Sequence, residues 1–169
     1  LPYGDYTLVE VQAPYGYVLD DTPIPFNINQ ENSSTDTGVT VVKVKAHDMA
    51  QKGVIEISKT GEVFASVTET EGMYSPVYNV QGLPNTVFQI YAAEDITTLD
   101  GTVRAYQGEL VDEITTDKDG KAKSKELYLG KYTVIEKTAT EGFYNSNEQY
   151  DVELTYAGQN VSVTSTELS

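Results

Sequence analysis

The chain contains no cysteine, no tryptophan and a single histidine, His47. Without cysteine there is no disulfide, no thiolate nucleophile and no cysteine-based zinc site. One histidine excludes a His pair for a metal, and His47 is the only base of that type open to a serine nucleophile. Basic residues are also scarce, with 11 Lys and Arg against 26 Asp and Glu and a formal net charge of −15. Nucleic acid and anionic membrane both reward clustered positive charge, so neither is expected as a partner. Solubility and self-repulsion of a surface-exposed chain are the plainer consequences. No run approaches the ~20 apolar residues of a transmembrane helix, and no membrane insertion is expected in this segment. No signal peptide opens the chain; Leu1 leads straight into a strand pattern, which puts any export signal upstream.

What the sequence does have is tyrosine, 13 of them, with abundant Thr and Val, a composition that leans towards strand. It also repeats itself. Leu1 to Tyr17 (LPYGDYTLVEVQAPYGY) and Leu127 to Phe143 (LYLGKYTVIEKTATEGF) share Gly4, Tyr6, Thr7, Glu10, Ala13 and Gly16 with Gly130, Tyr132, Thr133, Glu136, Ala139 and Gly142, without a gap. Such self-similarity signals an array of related domains. We expect residues 1–50 to be the C-terminal half of one repeat and 51–169 a nearly complete second one, truncated near the end of its last strand.

In chain order, strands are expected at Tyr6 to Val11, Pro23 to Ile28 and Val39 to Lys45, the last two joined by a polar loop from Gln30 to Gly38. Val54 to Lys59 opens the second repeat. Val63 to Val67 and Tyr78 to Val80 suggest an inserted hairpin near residues 60–82, turned at Glu71-Gly72. Thr86 to Ala92 is the clearest core strand. Leu110 to Thr115 and Ala122 to Leu127 flank Asp117-Lys118-Asp119-Gly120, which carries hairpin-turn chemistry. Tyr132 to Lys137, Tyr150 to Tyr156, a turn at Ala157-Gly158-Gln159 and Val161 to Thr166 follow. Many short strands separated by turn signals, with no sustained helical period, predict an all-β immunoglobulin-like or prealbumin-like sandwich.

Ile57-Ser58-Lys59, Thr86 to Tyr91, Thr116 to Lys121 and Leu129 to Glu136, in that order, resemble the Cna B-type (prealbumin-like, SpaA-type) repeat of Gram-positive surface proteins and pilins. The resemblance implies an isopeptide bond between a first-strand Lys and a last-strand Asn or Asp, promoted by a buried acid. Lys59 matches the donor and Glu136 the acid; Glu10 and Asp48 match the acid and acceptor of the preceding repeat. The residue matching Asp48 in the second repeat is the first one after Ser169, and Asn160, at a turn, is the fallback acceptor. Each repeat therefore holds two of three members, and neither bond is expected to close within this chain. The chemistry has its own logic. An ammonium enclosed among apolar groups is pushed towards the nucleophilic amine, and an enclosed carboxyl towards the acid. The acid can then donate to the acceptor carbonyl and shuttle protons to the leaving group. Tyr132, Val134 and Phe88 are the candidates for the surrounding apolar wall. Without the resemblance, Lys59 and Glu136 would read as an ordinary ion pair, or as a Lys and a Glu on solvated faces.

Other motifs carry less. Leu83-Pro84-Asn85-Thr86-Val87 resembles a sortase signal but has Val for its final Gly and no apolar span behind it, so it reads as the lead-in to a core strand. Lys121 and Lys123 occupy positions where an EF-hand needs oxygen ligands. Asn32-Ser33-Ser34 and Asn160-Val161-Ser162 match glycosylation sequons by pattern alone. No two carboxylates stand out as a glycosidase pair. Tyr74, Tyr78 and Tyr106 could stack on sugar rings, though packing in core and turns is their expected use. The functional expectation is a stalk or pilin-like module of a secreted protein, anchored to the cell wall through sequence outside this segment. It needs no cofactor or metal, is no enzyme beyond its own cross-linking, and has neighbouring repeats and host or matrix ligands as partners. The alternatives are an adhesin or carbohydrate-binding module, or an accessory domain of a larger extracellular enzyme.

Overall fold

A computed structural model describes residues 1–32, 40–145 and 147–169. The chain forms two compact units, one of Leu1–Gln51 with Gly158–Ser162, the other of Lys52–Ala157 with Val163–Ser169.

In the first unit, β1 (Gly4–Leu8), β2 (Tyr17–Val18), β3 (Ile24–Ile28) and β4 (Met49–Ala50) form two small antiparallel pairs, β1 with β3 and β2 with β4. Tyr6 stacks on Phe26 with ring centroids 5.6 Å apart. The 158–162 segment is stitched in by Gln51, whose Nε2 donates to the carbonyls of Gly158 and Val161. Gln159 contributes as well, its Oε1 accepting from the Ala13 amide at 3.0 Å.

The strand expected at Val39 to Lys45 is not formed. Its first residue and most of the preceding loop, including Ser33-Ser34 of the first sequon, lie outside the described residues. Of 40–45, only Thr40 makes an isolated bridge. The reason is a missing neighbour. The matching segment of the second unit is a strand because it pairs with the first strand there, and the first unit has no such partner among its described residues.

The second unit contains β5 (Lys52–Ser58), β6 (Thr60–Thr70), β7 (Met73–Gly82), β8 (Val87–Ala92), β9 (Ile96–Thr97), β10 (Val103–Ala105), β11 (Leu110–Thr115), β12 (Lys121–Lys123), β13 (Leu127–Tyr128), β14 (Gly130–Thr138), β15 (Gln149–Leu154) and β16 (Val163–Leu168). One sheet has the order β11-β8-β14-β15. The other is built on β5, with β12 and β13 in succession along one edge and β16 running parallel along the other. Ser124 bridges the break between β12 and β13: its amide donates to the Ile55 carbonyl, and its Oγ accepts from the Ile55 amide. The two sheets close on Ile55, Ile57, Phe88, Ile90, Ala92, Tyr132, Val134, Val152 and Leu154, a shared β-sandwich core.

On β8 the inward file is Phe88, Ile90 and Ala92, with Val87, Gln89 and Tyr91 outward. Two local expectations change. β11 and β12 do not form a hairpin; β11 joins β8 while β12 crosses to β5. Thr116 steers that crossover, its buried hydroxyl donating to the Leu83 carbonyl and accepting from the Thr86 amide. The turn expected at 157–159 instead closes through the Val161 amide on the Gly158 carbonyl, and β16 leaves it to pair with β5.

The repeat survives in backbone register. Gly4 pairs with Ile28 and Tyr6 with Phe26 as Gly130 pairs with Leu154 and Tyr132 with Val152, at one constant offset. Both tyrosines donate to a carbonyl four residues back, Tyr6 to Pro2 at 2.8 Å and Tyr132 to Tyr128 at 2.5 Å.

Candidate functional site

Strand parity delivers both charged groups to the sandwich interior. Ile55 and Ile57 point inward from β5, and Lys59, two residues on, continues that file. Tyr132 and Val134 point inward from β14, and Glu136 is the next member of its file. The two files face each other across the core and end in an ion pair, Lys59 Nζ to Glu136 Oε2 at 2.8 Å. The Glu136 side chain is 2% exposed and that of Lys59 30%. Glu136 Oε1 is buried without a partner.

The backbone of Lys59 is held on both sides. Its amide donates to the Gly120 carbonyl at 2.8 Å, and its carbonyl accepts from the Leu83 amide at 2.9 Å. The clamp needs close backbone approach. A Cβ on Gly82 would sit 2.1 Å from the Asp119 carbonyl oxygen, and one on Gly120 would sit 2.3 Å from that of Lys59. Gly120 also has φ +76°, which L side chains rarely adopt. Asp117 shapes the turn, its Oδ1 accepting from the Asp119 and Lys121 amides. These bonds hold the Asp117 carboxyl below its ordinary value.

Beside the ion pair lies a small cavity of about 150 Å³ lined by Ile57, Ser58, Lys59, Thr60, Phe88, Tyr150, Leu168 and Ser169. The parallel register of β16 leads to it, with Thr166 opposite Ile55 and Leu168 opposite Ile57. Tyr150 donates to Glu148 at 2.6 Å. That bond, with burial, pushes the Tyr150 phenol up to about 12, so it keeps its proton at neutral pH.

Of the expected apolar wall, Phe88 lies opposite Glu136 on the neighbouring strand, and Val134 is fully buried beside it. Tyr132 does not belong to it. It pairs with Ala92 further along the sheet and turns its hydroxyl to Tyr128. Sequence reading missed Tyr150, Leu168 and Asn145. The Asn145 Nδ2 donates to the carbonyls of Glu136 and Lys137 and fixes the end of β14. The parity of 150 against the buried positions 152 and 154 was a signal for Tyr150. Asn145 sits in a loop and gave none.

Glu10 and Asp48 are brought together in the first unit. Both line a groove of about 600 Å³ with Leu8, Val9, Asp20, Thr22, Ile24, Lys45, Ala46, His47 and Met49. Glu10 Oε2 and Asp48 Oδ1 are buried and unpartnered. Two ionised carboxylates have no donor to share, whereas a proton on Glu10 supplies one. Burial, and then the Asp48 carboxyl, raise the Glu10 pKa above its ordinary value. Asn160 is exposed in the turn before β16, whose first residue pairs with Lys52 at the end of β5 remote from Lys59. Among the described residues no group of three or more His, Cys, Asp or Glu could hold a metal ion, and no helix is long and apolar enough to cross a membrane.

The chain is similar to the Bacillus anthracis TIE protein, with 28% identity and a TM-score of 0.60 over 99% of this chain and 25% of that one. It also matches the group B streptococcus pilus 2b backbone protein at 17% identity and a TM-score of 0.44, over 92% of this chain and 51% of that one. A third match is BcpA, the major pilin subunit of Bacillus cereus, at 16% identity and a TM-score of 0.39, over 70% and 28% of the two chains. The chain thus spans about a quarter to a half of the solved structures it matches. No curated protein sequence matches it. The family model for the SpaA prealbumin-like fold domain matches residues 1–43 and 77–168. Most of the chain is matched and its second unit is a β-sandwich, so this chain belongs to the SpaA prealbumin-like domain family.

Proposed function

We propose that the chain is a load-bearing module of an extracellular, wall-anchored protein, whose sandwich is tied by a covalent Lys59 cross-link in the full-length molecule. Residues 1–50 then belong to a preceding repeat that is tied in the same way. The observation that carries this reading is the half-buried Lys59 paired with the buried Glu136 beside a cavity into which β16 runs. In the parallel register, the residue after Ser169 stands opposite Lys59. An Asn or Asp there is the acceptor.

The chemistry balances without a cofactor. Proton transfer within the 2.8 Å pair turns Lys59 into an amine and Glu136 into an acid. The Nζ lone pair attacks the acceptor carbonyl carbon. The Glu136 carboxyl donates to the carbonyl oxygen and then relays the amine proton to the leaving group. The Nζ–C bond forms, the acceptor C–N or C–O bond breaks, and ammonia or water departs. Glu136 is the acid–base group and Lys59 the nucleophile. Glu10 and Asp48 hold the corresponding acid and acceptor places in the first unit, where a strand-borne lysine is the missing member. Turnover of an external substrate forms no part of this reading.

A tie between first and last strands carries tension along covalent bonds. It also removes denatured-state freedom, by on the order of 4 kcal/mol for a loop this long in the chain-entropy model. That substitutes for the disulfides the sequence cannot form. Intact mass of the 169-residue chain tests the assignment of members: the full calculated mass is expected, and loss of one ammonia or water would contradict it.

A further inference from the structure

β6 and β7 form a ribbon that no third strand joins among the described residues, longer than the expected hairpin and turned at Glu71-Gly72, both at positive φ. Cross-strand partners share a face, so Glu69 with Tyr74, Val67 with Pro76, Phe64 with Tyr78 and Glu62 with Val80 project from one side. That side is the apolar one, and it faces solvent. Tyr74 is 71% exposed, Val80 69%, Phe64 56% and Tyr78 53%. These tyrosines are therefore not core or turn packing. Phe64 and Tyr78 meet edge to face at 6.2 Å. From Tyr74 to Val80 the stripe runs about 20 Å at strand rise.

The core cluster of the sandwich contains no ribbon residue. A solvated two-stranded ribbon is marginal on its own, and a contiguous exposed apolar patch marks a binding surface. Charge narrows the occupant. Residues 60–82 contain Glu62, Glu69 and Glu71 but no Lys, Arg or His. None of the three carboxylates joins an ion pair among the described residues. A second copy of the ribbon would bring like charges together. A sugar would find aromatic faces but only Val67, Pro76 and Val80 between the two carboxylates, with no amide to bond its hydroxyls.

We propose that the β6–β7 ribbon is a docking surface for an extended polypeptide segment whose apolar stripe is flanked by Lys or Arg. The stripe covers Phe64, Tyr74 and Tyr78, and the cations meet Glu62, Glu69 and Glu71.

The test uses the full chain and a fluorescent ten-residue peptide alternating Lys with Val and Tyr, beside its counterpart with Glu for Lys. Anisotropy should show binding of the Lys peptide only. Combining Phe64→Ser, Tyr74→Ser and Tyr78→Ser should weaken it by about 10-fold or more with the thermal midpoint of the sandwich unchanged. Combining Glu62→Gln, Glu69→Gln and Glu71→Gln should remove most of its salt dependence. Equal binding by the aromatic variant, or none by the wild type, overturns the proposal. So does an aromatic-dependent affinity for neutral oligosaccharides or for a second copy in place of the peptide.

Discussion

Lys59 Nζ lies 2.8 Å from Glu136 Oε2, at the inner ends of two strands that are otherwise apolar on that face. Two unlike charges terminate two hydrophobic files, and each depends on the other for being there. Glu136 has given up nearly all its hydration, and Lys59 is its only cationic partner among the described residues.

The first prediction concerns that dependence. Lys59→Met should cost about 3 kcal/mol, the lower end of the range for stranding a buried charge, because Lys59 keeps some solvent access. Combining Lys59→Met with Glu136→Leu should recover most of the loss, since an apolar pair of similar volume removes the stranded charge. Urea melts of the three proteins decide it; a double variant no better than the single would contradict the pairwise account.

A second prediction follows from the glycine clamp. Gly82→Ala places a methyl against the Asp119 carbonyl and should cost about 1–3 kcal/mol by overpacking. Gly158→Ala, with open space around its Cβ, should cost less despite its own positive φ. Thermal midpoints measured in parallel would expose the difference.

Glu10 gives a pH dependence with a definite sign. Its folded pKa is raised, by burial first and by Asp48 second. The folded state therefore binds the proton more tightly than the unfolded state. The stabilisation is complete below the unfolded value and is lost as pH rises through the folded one. Glu10→Gln keeps a donor towards Asp48 and should flatten this loss on the alkaline side. Fluorescence-monitored melts from pH 4 to about pH 8, spanning the ordinary carboxyl range and above, would show it; a wild type whose first unit gains stability over that window would reverse the assignment.

These relationships differ in how far the sequence announced them. The sandwich was legible because alternation on β5, β8, β14 and β15 is strong, and the constant spacing of the glycines and tyrosines carried through to identical pairing registers. Pairing partners were less legible. Ala122 to Leu127 follows a good turn yet crosses to β5, because a buried Thr116 hydroxyl, not the turn itself, sets where the chain goes. Val41 to Lys45 alternates well but finds no strand to pair with among the described residues. The ribbon's exposed aromatic face contradicts the rule that aromatics on strands pack inward, and no local pattern signals that exception.

The central claim is that Lys59 and Glu136 await an acceptor carried by the continuation of β16. The most direct measurement is the intact mass of this chain with one Asn added after Ser169. The account predicts loss of one ammonia, with Lys59 found in the cross-linked peptide on digestion, and full mass retained in Lys59→Ala and Glu136→Ala forms of the same extended chain. Full mass in the unsubstituted extended chain, with the sandwich folded, would contradict it.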